Sequence, residues 1–213
     1  MTVPDTGTKS DPQAGSDIAR DPSFASSATK SVTRRRLILT RHAKSAWDNP
    51  LLEDHDRPLN RRGLRAALEL GEWLGSRGYL PEEVLCSSAV RTRETWAVIE
   101  RAPLEVLPVI KVEGELYNAS CDSILARIKR CTADTVMVLG HNPGIGELAA
   151  RLAAQPPASA EFRKYPSAAT LVLDFQLKDW DEISFGSGAV LDFFLPADKS
   201  YAGKRFPFDS ASD

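Results

Sequence analysis

Two apolar runs in this chain end abruptly in polar, reactive side chains. Leu37-Ile38-Leu39-Thr40 stops at Arg41-His42, and Thr135-Val136-Met137-Val138-Leu139-Gly140 stops at His141-Asn142-Pro143. Both runs are continuous rather than alternating, the pattern of strands whose two faces are covered by helices. Elsewhere the apolar spacing changes to the helical period. Asn60 is a good cap; Leu64, Ala67, Leu68, Gly71 and Leu74 then share one helical face, with Gly78 as a stop. Val84-Leu85-Cys86-Ser87-Ser88 reads as a short strand entering a polar turn. A helix over Arg91 to Glu100 follows, with Trp96 and Ile99 inward, and Val106 to Ile110 is a further strand. Ser120 or Asp122 caps a helix that turns Ile124, Leu125 and Ile128 inward, and Ile145, Leu148, Ala149 and Leu152 mark another. Gln155 to Ala169 is expected as a loop, and Thr170 to Phe175 and Ala189 to Leu195 as late strands at or near a sheet edge. Strands alternating with helices predict an α/β fold, a three-layer α/β/α sandwich around a mostly parallel sheet.

The flanks lack this patterning. Residues 1–33 are rich in Ser, Thr, Asp, Ala and Gly and are expected as a disordered N-terminal tail. Residues 34–200 form the folded domain and 201–213 a loose C-terminal tail. The cluster Arg34-Arg35-Arg36 reads as a solvated lead-in to the first strand. At 213 residues the chain suits one domain with a core of its own. A net charge of -2 provides no global basic field, so nucleic acid is not an expected partner. No apolar run approaches the roughly 20 residues of a membrane span, so no membrane association is expected either. A signal-peptide hydrophobic segment is missing, and Asp5, Asp11, Asp17 and Asp21 argue against an organelle transit peptide. Cys86, Cys121 and Cys131 are odd in number and without paired spacing. They read as reduced thiols of a cytoplasmic protein.

The carboxyl ends of parallel strands lie along one edge of a sheet, where ligands bind. Arg41, His42, Arg91 (just past Ser87-Ser88) and His141 are thereby directed to one pocket. Arginine offers a flat fork of donors that matches phosphate geometry. No GxxxxGK loop is present, which excludes a nucleoside triphosphate cradle of that type. No HxxxH or CxxC spacing exists, and Arg41 and Lys44 beside His42 repel a divalent ion, so neither metal nor other cofactor is expected. Neighbouring positive charge lowers the pKa of a histidine and leaves a neutral ring with a free lone pair. Such a ring attacks a phosphoryl group while arginines neutralise its oxygens.

These residues resemble a known family. Arg41-His42-Ala43 is similar to the Arg-His-Gly signature of the histidine phosphatase superfamily. Ser88-Ala89-Val90-Arg91-Thr92-Arg93-Glu94-Thr95 resembles its second arginine motif, and Gly140-His141-Asn142-Pro143 its second histidine motif. The SixA-type phosphohistidine phosphatase branch fits best. That similarity adds Lys44-Ser45, Asp56-Arg57-Pro58-Leu59-Asn60 with Arg62-Gly63, Glu115-Leu116-Tyr117 and Gly144. It runs from about Leu37 to Pro196 and implies the phosphoglycerate mutase-like fold. It also implies that His42 takes the phosphoryl group and that water hydrolyses the resulting phosphohistidine. Arg41, Arg91 and His141 would hold the phosphoryl oxygens, with Arg57 completing the pocket. Glu115 stands where the family often places an acid; it is either the acid catalyst or the structural partner of an arginine.

Departures from the wider family bear on function. Lys44 replaces an acid, and Asp48 replaces an asparagine that helps to bind phosphate. The long insertions by which mutases retain a bisphosphate are missing. The expected activity is therefore a metal-independent phosphatase, acting on a phosphohistidine protein or on a small phosphoester. A phosphoglycerate-type mutase and a non-catalytic phosphate-binding module are the alternatives. Retention of a nucleophile beside both arginines speaks against the module. His55 is expected to be a loop histidine without a role, and Trp47, Trp73, Trp96 and Trp180 to be packing residues. Arg91 has Glu94 and Glu115 as alternative surface partners.

Overall fold

The structure, a computed structural model, describes residues 1, 31–102 and 107–197. The tail expected over 201–213, the N-terminal tail save Met1 and 31–33, and Val106 of the third expected strand lie outside these residues. Strand β1 (Thr33–Arg41) leads through a long loop with a 3₁₀ turn (Asp54–Asp56) to helix α1 (Arg61–Arg77). β2 (Glu83–Ser87), α2 (Val90–Ile99) and β3 (Val109–Glu113) follow. After a 3₁₀ turn (Gly114–Leu116) come α3 (Cys121–Ile128), β4 (Thr135–Gly140) and α4 (Gly144–Leu152). The chain continues through α5 (Ala160–Lys164), β5 (Thr170–Leu177) and β6 (Ala189–Phe194).

The strands form one sheet in the order β3-β2-β4-β1-β5-β6. The β1–β4, β4–β2 and β2–β3 pairs are parallel, whereas β5 joins β1 and β6 antiparallel. Register places Arg41 beside Gly140 and Cys86 beside Leu139. The ends of β1, β2 and β4 therefore open on the same edge. The alternation along β1 divides the core in two. Leu37 and Leu39 face Ile124, Ile128, Ile145 and Leu148 of α3 and α4. Ile38 faces Leu70, Leu74, Trp96 and Ile99 of α1 and α2. A mostly parallel sheet between two helical layers is thus the expected α/β/α sandwich.

Several boundaries differ from expectation. β1 begins at Thr33, so Arg34, Arg35 and Arg36 are strand residues rather than a solvated lead-in. Arg35 is buried and donates to Asp134 Oδ1 (2.9 Å) and to the Lys178 carbonyl (2.6 Å), while Arg36 donates to both carboxylate oxygens of Asp174. Tertiary partners that no local pattern announces make the cluster structural. The expected loop over 155–169 holds α5, capped by the Ser159 hydroxyl accepting from Phe162 N–H, with Phe162 buried. On α1, Leu70 is buried, whereas Leu64 and Leu68 are half-buried. The late strands do lie at and next to a sheet edge, β6 outermost and β5 paired beside it. All three cysteines are free and buried.

One close approach ties α1 to the end of β1. The Asn60 side chain caps α1 by accepting from Gly63 N–H, and Asn60 N–H donates to the Lys44 carbonyl at 3.0 Å. A β-carbon on Gly63 would lie 2.1 Å from that carbonyl oxygen, a backbone atom that cannot step aside. Gly63→Ala is expected to lower stability by about 1–3 kcal/mol and to reduce turnover, because the displaced segment directly follows His42. Urea unfolding and steady-state kinetics on the same preparation check both effects.

Candidate active site

The strand ends deliver their side chains as the register requires. His42 follows β1, His141 follows β4, and Arg91 stands in the first turn of α2 after β2. All three are buried. The two imidazole rings lie 5.1 Å apart, centroid to centroid. Arg91 bridges them. Its Nε donates to His42 Nε2 and its Nη2 to His141 Nδ1, each at 3.2 Å.

These contacts decide the tautomers. His42 Nδ1 lies 2.7 Å from the Ala43 carbonyl, which can only accept. The ring therefore carries its proton on Nδ1 and presents a lone pair at Nε2. His141 accepts at Nδ1, so its Nε2–H donates to Ser87 Oγ at 2.7 Å. The surrounding frame is also fixed. Thr95 Oγ1 accepts from Ala43 N–H and donates to the Arg91 carbonyl, joining the β1 terminus to α2. Tyr165 is fully buried, donates to the Leu39 carbonyl, and offers its own carbonyl to Arg41 Nη1 at 3.0 Å.

Arg41, His42, Lys44, Ser45, Trp47, Asp54, Arg91 and Ser167 line a cleft of about 230 Å³. Asp54 is a member that the sequence motifs do not single out. Its Oδ2 accepts from Arg91 Nη2 at 3.0 Å and from the Tyr117 hydroxyl at 2.7 Å, and its carbonyl accepts from Arg91 Nη1. The one cue in the sequence is its place three residues before Arg57 in the matched Asp-Arg-Pro segment. Arg57 stacks on Trp47, with its guanidinium carbon 3.5 Å from the ring centre, and is not among the cleft-lining residues. Glu115 does not join the cluster. It is exposed on the 3₁₀ turn after β3, and its charge acts on Arg127. Glu94 instead holds the loop before α1 by accepting from Leu59 N–H at 2.6 Å, leaving Arg91 to Asp54. Asp48 is exposed and away from the cleft lining. His55 has partners: its Nε2 lies 2.9 Å from Ser88 Oγ, and its ring meets Tyr117 edge-on. Trp47 is exposed at the cleft mouth rather than packed inside. Among the described residues, no three His, Cys, Asp or Glu side chains are grouped to hold a metal ion, and no helix is long and apolar enough to cross a membrane.

Burial dominates the electrostatics. It drives His42 down to about 4, with Arg91 and Arg41 adding to the fall and the Ala43 carbonyl opposing it. His141 falls to about 3 through burial, then through the neighbouring His42 and Arg91. Cationic neighbours therefore act in the expected direction but rank below desolvation. Arg41 is also lowered, by burial and then by Arg91. Asp54 is held ionised, chiefly by the Tyr117 hydroxyl and then by Arg91, against a smaller cost of burial. The site thus holds two neutral imidazoles beside two guanidinium groups, an arrangement able to bind a phosphoryl dianion and attack it.

Residues 37–114 match the sequence model of the histidine phosphatase superfamily, branch 1. An uncharacterised chloroplastic protein of Arabidopsis thaliana is 34% identical over 163 residues, 71% of this chain and 73% of that protein. Among solved structures, the putative phosphohistidine phosphatase SixA from Nakamurella multipartitia superposes with a TM-score of 0.65 at 31% identity, covering 78% of this chain and 98% of that one. Its counterpart from Agrobacterium tumefaciens gives 0.62 at 29%, covering 76% and 98%.

The histidine shifts carry a consequence for stability. In the unfolded chain both rings bind protons near pH 6.5, whereas the folded site resists protonation down to about 4 and 3. Stability is therefore at its full value above pH 6.5 and is lost as pH falls below that value toward the folded-state pKa values. Each histidine contributes a slope of up to about 1.4 kcal/mol per pH unit in that window. Denaturant unfolding between pH 7.5 and 5 is expected to show this slope flattened in a His42→Gln, His141→Gln double variant. An equally steep loss in the variant would place the proton uptake elsewhere.

Proposed function

This chain belongs to the histidine phosphatase superfamily, and from that premise we propose that this phosphatase removes phosphoryl groups from protein histidines, without metal, through a phosphohistidine formed on His42. The observation that carries the reading is the state of His42. Its proton is held on Nδ1 by the Ala43 carbonyl, and its Nε2 lone pair points at the Arg91 guanidinium. A phosphoryl group entering the cleft takes the Arg91 N–H donors for its own oxygens and frees Nε2 to attack phosphorus. The Nε2–P bond forms as the bond to the leaving group breaks. Water then attacks the same phosphorus, the P–N bond breaks, and inorganic phosphate and His42 are released.

Positioning and charge neutralisation supply most of the catalysis in phosphoryl transfer. Arg41 and Arg91 provide the charge. His141, joined to Arg91 and backed by Ser87, holds the guanidinium beside His42 and would donate a ring N–H to the phosphoryl oxygens. Arg57 contributes its field and its stacking on Trp47. Glu115, exposed on the turn after β3, is not given the acid role. A protein substrate is favoured by likeness to the two SixA phosphatases and by the surroundings of the cleft. Trp47 also lines an adjoining hollow of about 550 Å³ with Leu52, Pro58 and Leu64.

The test is a panel of phosphohistidine protein, sugar phosphates and nucleotides, read as phosphate release with chelator present. Phosphohistidine protein is expected to be the best substrate, with an acid-labile phosphoenzyme trapped on rapid quenching. His42→Ala is expected to lose the phosphoenzyme and about ten-thousandfold or more of kcat while remaining folded. Turnover that survives in His42→Ala, or that chelator abolishes, would falsify the mechanism. Transfer of phosphate to a second hydroxyl instead of release would mark a mutase.

A further inference from the structure

Asp54 is held from three sides yet keeps a free oxygen. Its carbonyl and its Oδ2 both grip Arg91, and the Tyr117 hydroxyl donates to the same Oδ2. Among the described residues nothing donates to Oδ1, and the side chain is about half exposed on the cleft wall, at 49%. One guanidinium separates this carboxylate from the nucleophile, because Arg91 Nε meets His42 Nε2 while Nη2 meets Asp54. A phosphoryl group drawn to that guanidinium comes to lie between the two. An in-line transfer to His42 sends the leaving group away from His42, toward the side where Asp54 stands.

We propose that Asp54 recognises the departing imidazole: its carboxylate accepts a hydrogen bond from the distal ring N–H of a phosphohistidine and thereby selects N-phosphorylated imidazoles over phosphate esters. This rests on the reading of the site given above. The chemistry requires such a partner. An N-phosphorylated imidazole that carries a proton on its other nitrogen is cationic. When His42 Nε2 bonds to phosphorus, the P–N bond breaks, its electron pair returns to the ring, and neutral imidazole leaves with the distal proton still attached. An anion beside that proton stabilises the reactive, protonated form. Asp54 remains ionised through Tyr117 and Arg91, so it serves as acceptor and not as proton donor. A phosphate ester has no N–H to present, and its alkoxide needs a proton that this carboxylate lacks. Tyr117 acts through Asp54 as a positioning residue. The other charges facing the carboxylate, Arg91 and Arg57, are both cations and keep it anionic.

The experiment compares kcat/KM on a phosphohistidine peptide with that on p-nitrophenyl phosphate, whose phenolate leaves without protonation. Asp54→Asn keeps the size of the side chain and an oxygen for the Tyr117 hydroxyl and Arg91. It is expected to lower the peptide-to-aryl-phosphate ratio about thirtyfold. Asp54→Glu, which restores the charge, is expected to recover about tenfold of that ratio. Inorganic phosphate is expected to inhibit Asp54→Asn at least as strongly as wild type, since an anion near the phosphoryl site has been removed. Equal losses on both substrates, together with weakened phosphate inhibition, would reduce Asp54 to a holder of Arg91 and overturn the proposal. A wild-type enzyme that turns over p-nitrophenyl phosphate but releases nothing from the phosphohistidine peptide overturns the substrate assignment and this proposal together.

Discussion

The Arg91 guanidinium joins His42, His141 and Asp54 through four hydrogen bonds, two of them to ring nitrogens that must be unprotonated. Most other features of the site follow from this one buried cation. It can donate but never accept, so each histidine it touches is forced to place its proton on the other nitrogen. That proton then needs an acceptor, which the Ala43 carbonyl and the Ser87 hydroxyl provide. The cation itself needs an anion, which Asp54 provides from a loop far away in sequence. A neutral nucleophile next to a positive charge is costly to protonate and well suited to an anionic substrate. The same arrangement therefore adds to the fall that burial imposes on both histidines and suits an anionic ligand.

Holding such a cluster requires a rigid frame. β1 and β4 pair in parallel up to Arg41 and Gly140, so the two histidines emerge side by side. β2 pairs with β4 and brings Ser87 behind His141 and α2 with Arg91 in front. Thr95 links the β1 terminus to α2, Gly63 lets α1 approach the Lys44 carbonyl, and Tyr165 orients Arg41 through its backbone. Each of these contacts spends folding energy on placement. The mouth is looser in character: Trp47, Lys44 and Asp54 stand exposed or half exposed where a substrate enters.

The continuous apolar runs of β1 and β4 and the helical spacing in α1, α3 and α4 were legible because burial on both faces of a sheet imposes them residue by residue. Arg41, His42, Arg91 and His141 were legible for a related reason: chemistry at a strand end sits next to the strand in sequence. The cluster Arg34-Arg35-Arg36 was not, since charge alone does not reveal that Asp134, Asp174 and Lys178 wait across the sheet. α5 was hidden by the prolines around it, and its stability comes from burying Phe162. Local motif pointed to Glu115 as the acidic residue, while the fold left it exposed and brought Asp54, which no motif marks, to Arg91.

By itself, then, the sequence determined the layered α/β architecture and the identity of the cationic and imidazole groups, because both are written in short-range patterns of polarity. Only the tertiary structure decided which nitrogen of each histidine is free, which carboxylate meets the arginine, and how far burial rather than neighbouring charge lowers the imidazoles. Those properties depend on hydrogen-bond partners and on exclusion of water, and both arise from segments that meet only when the chain has folded.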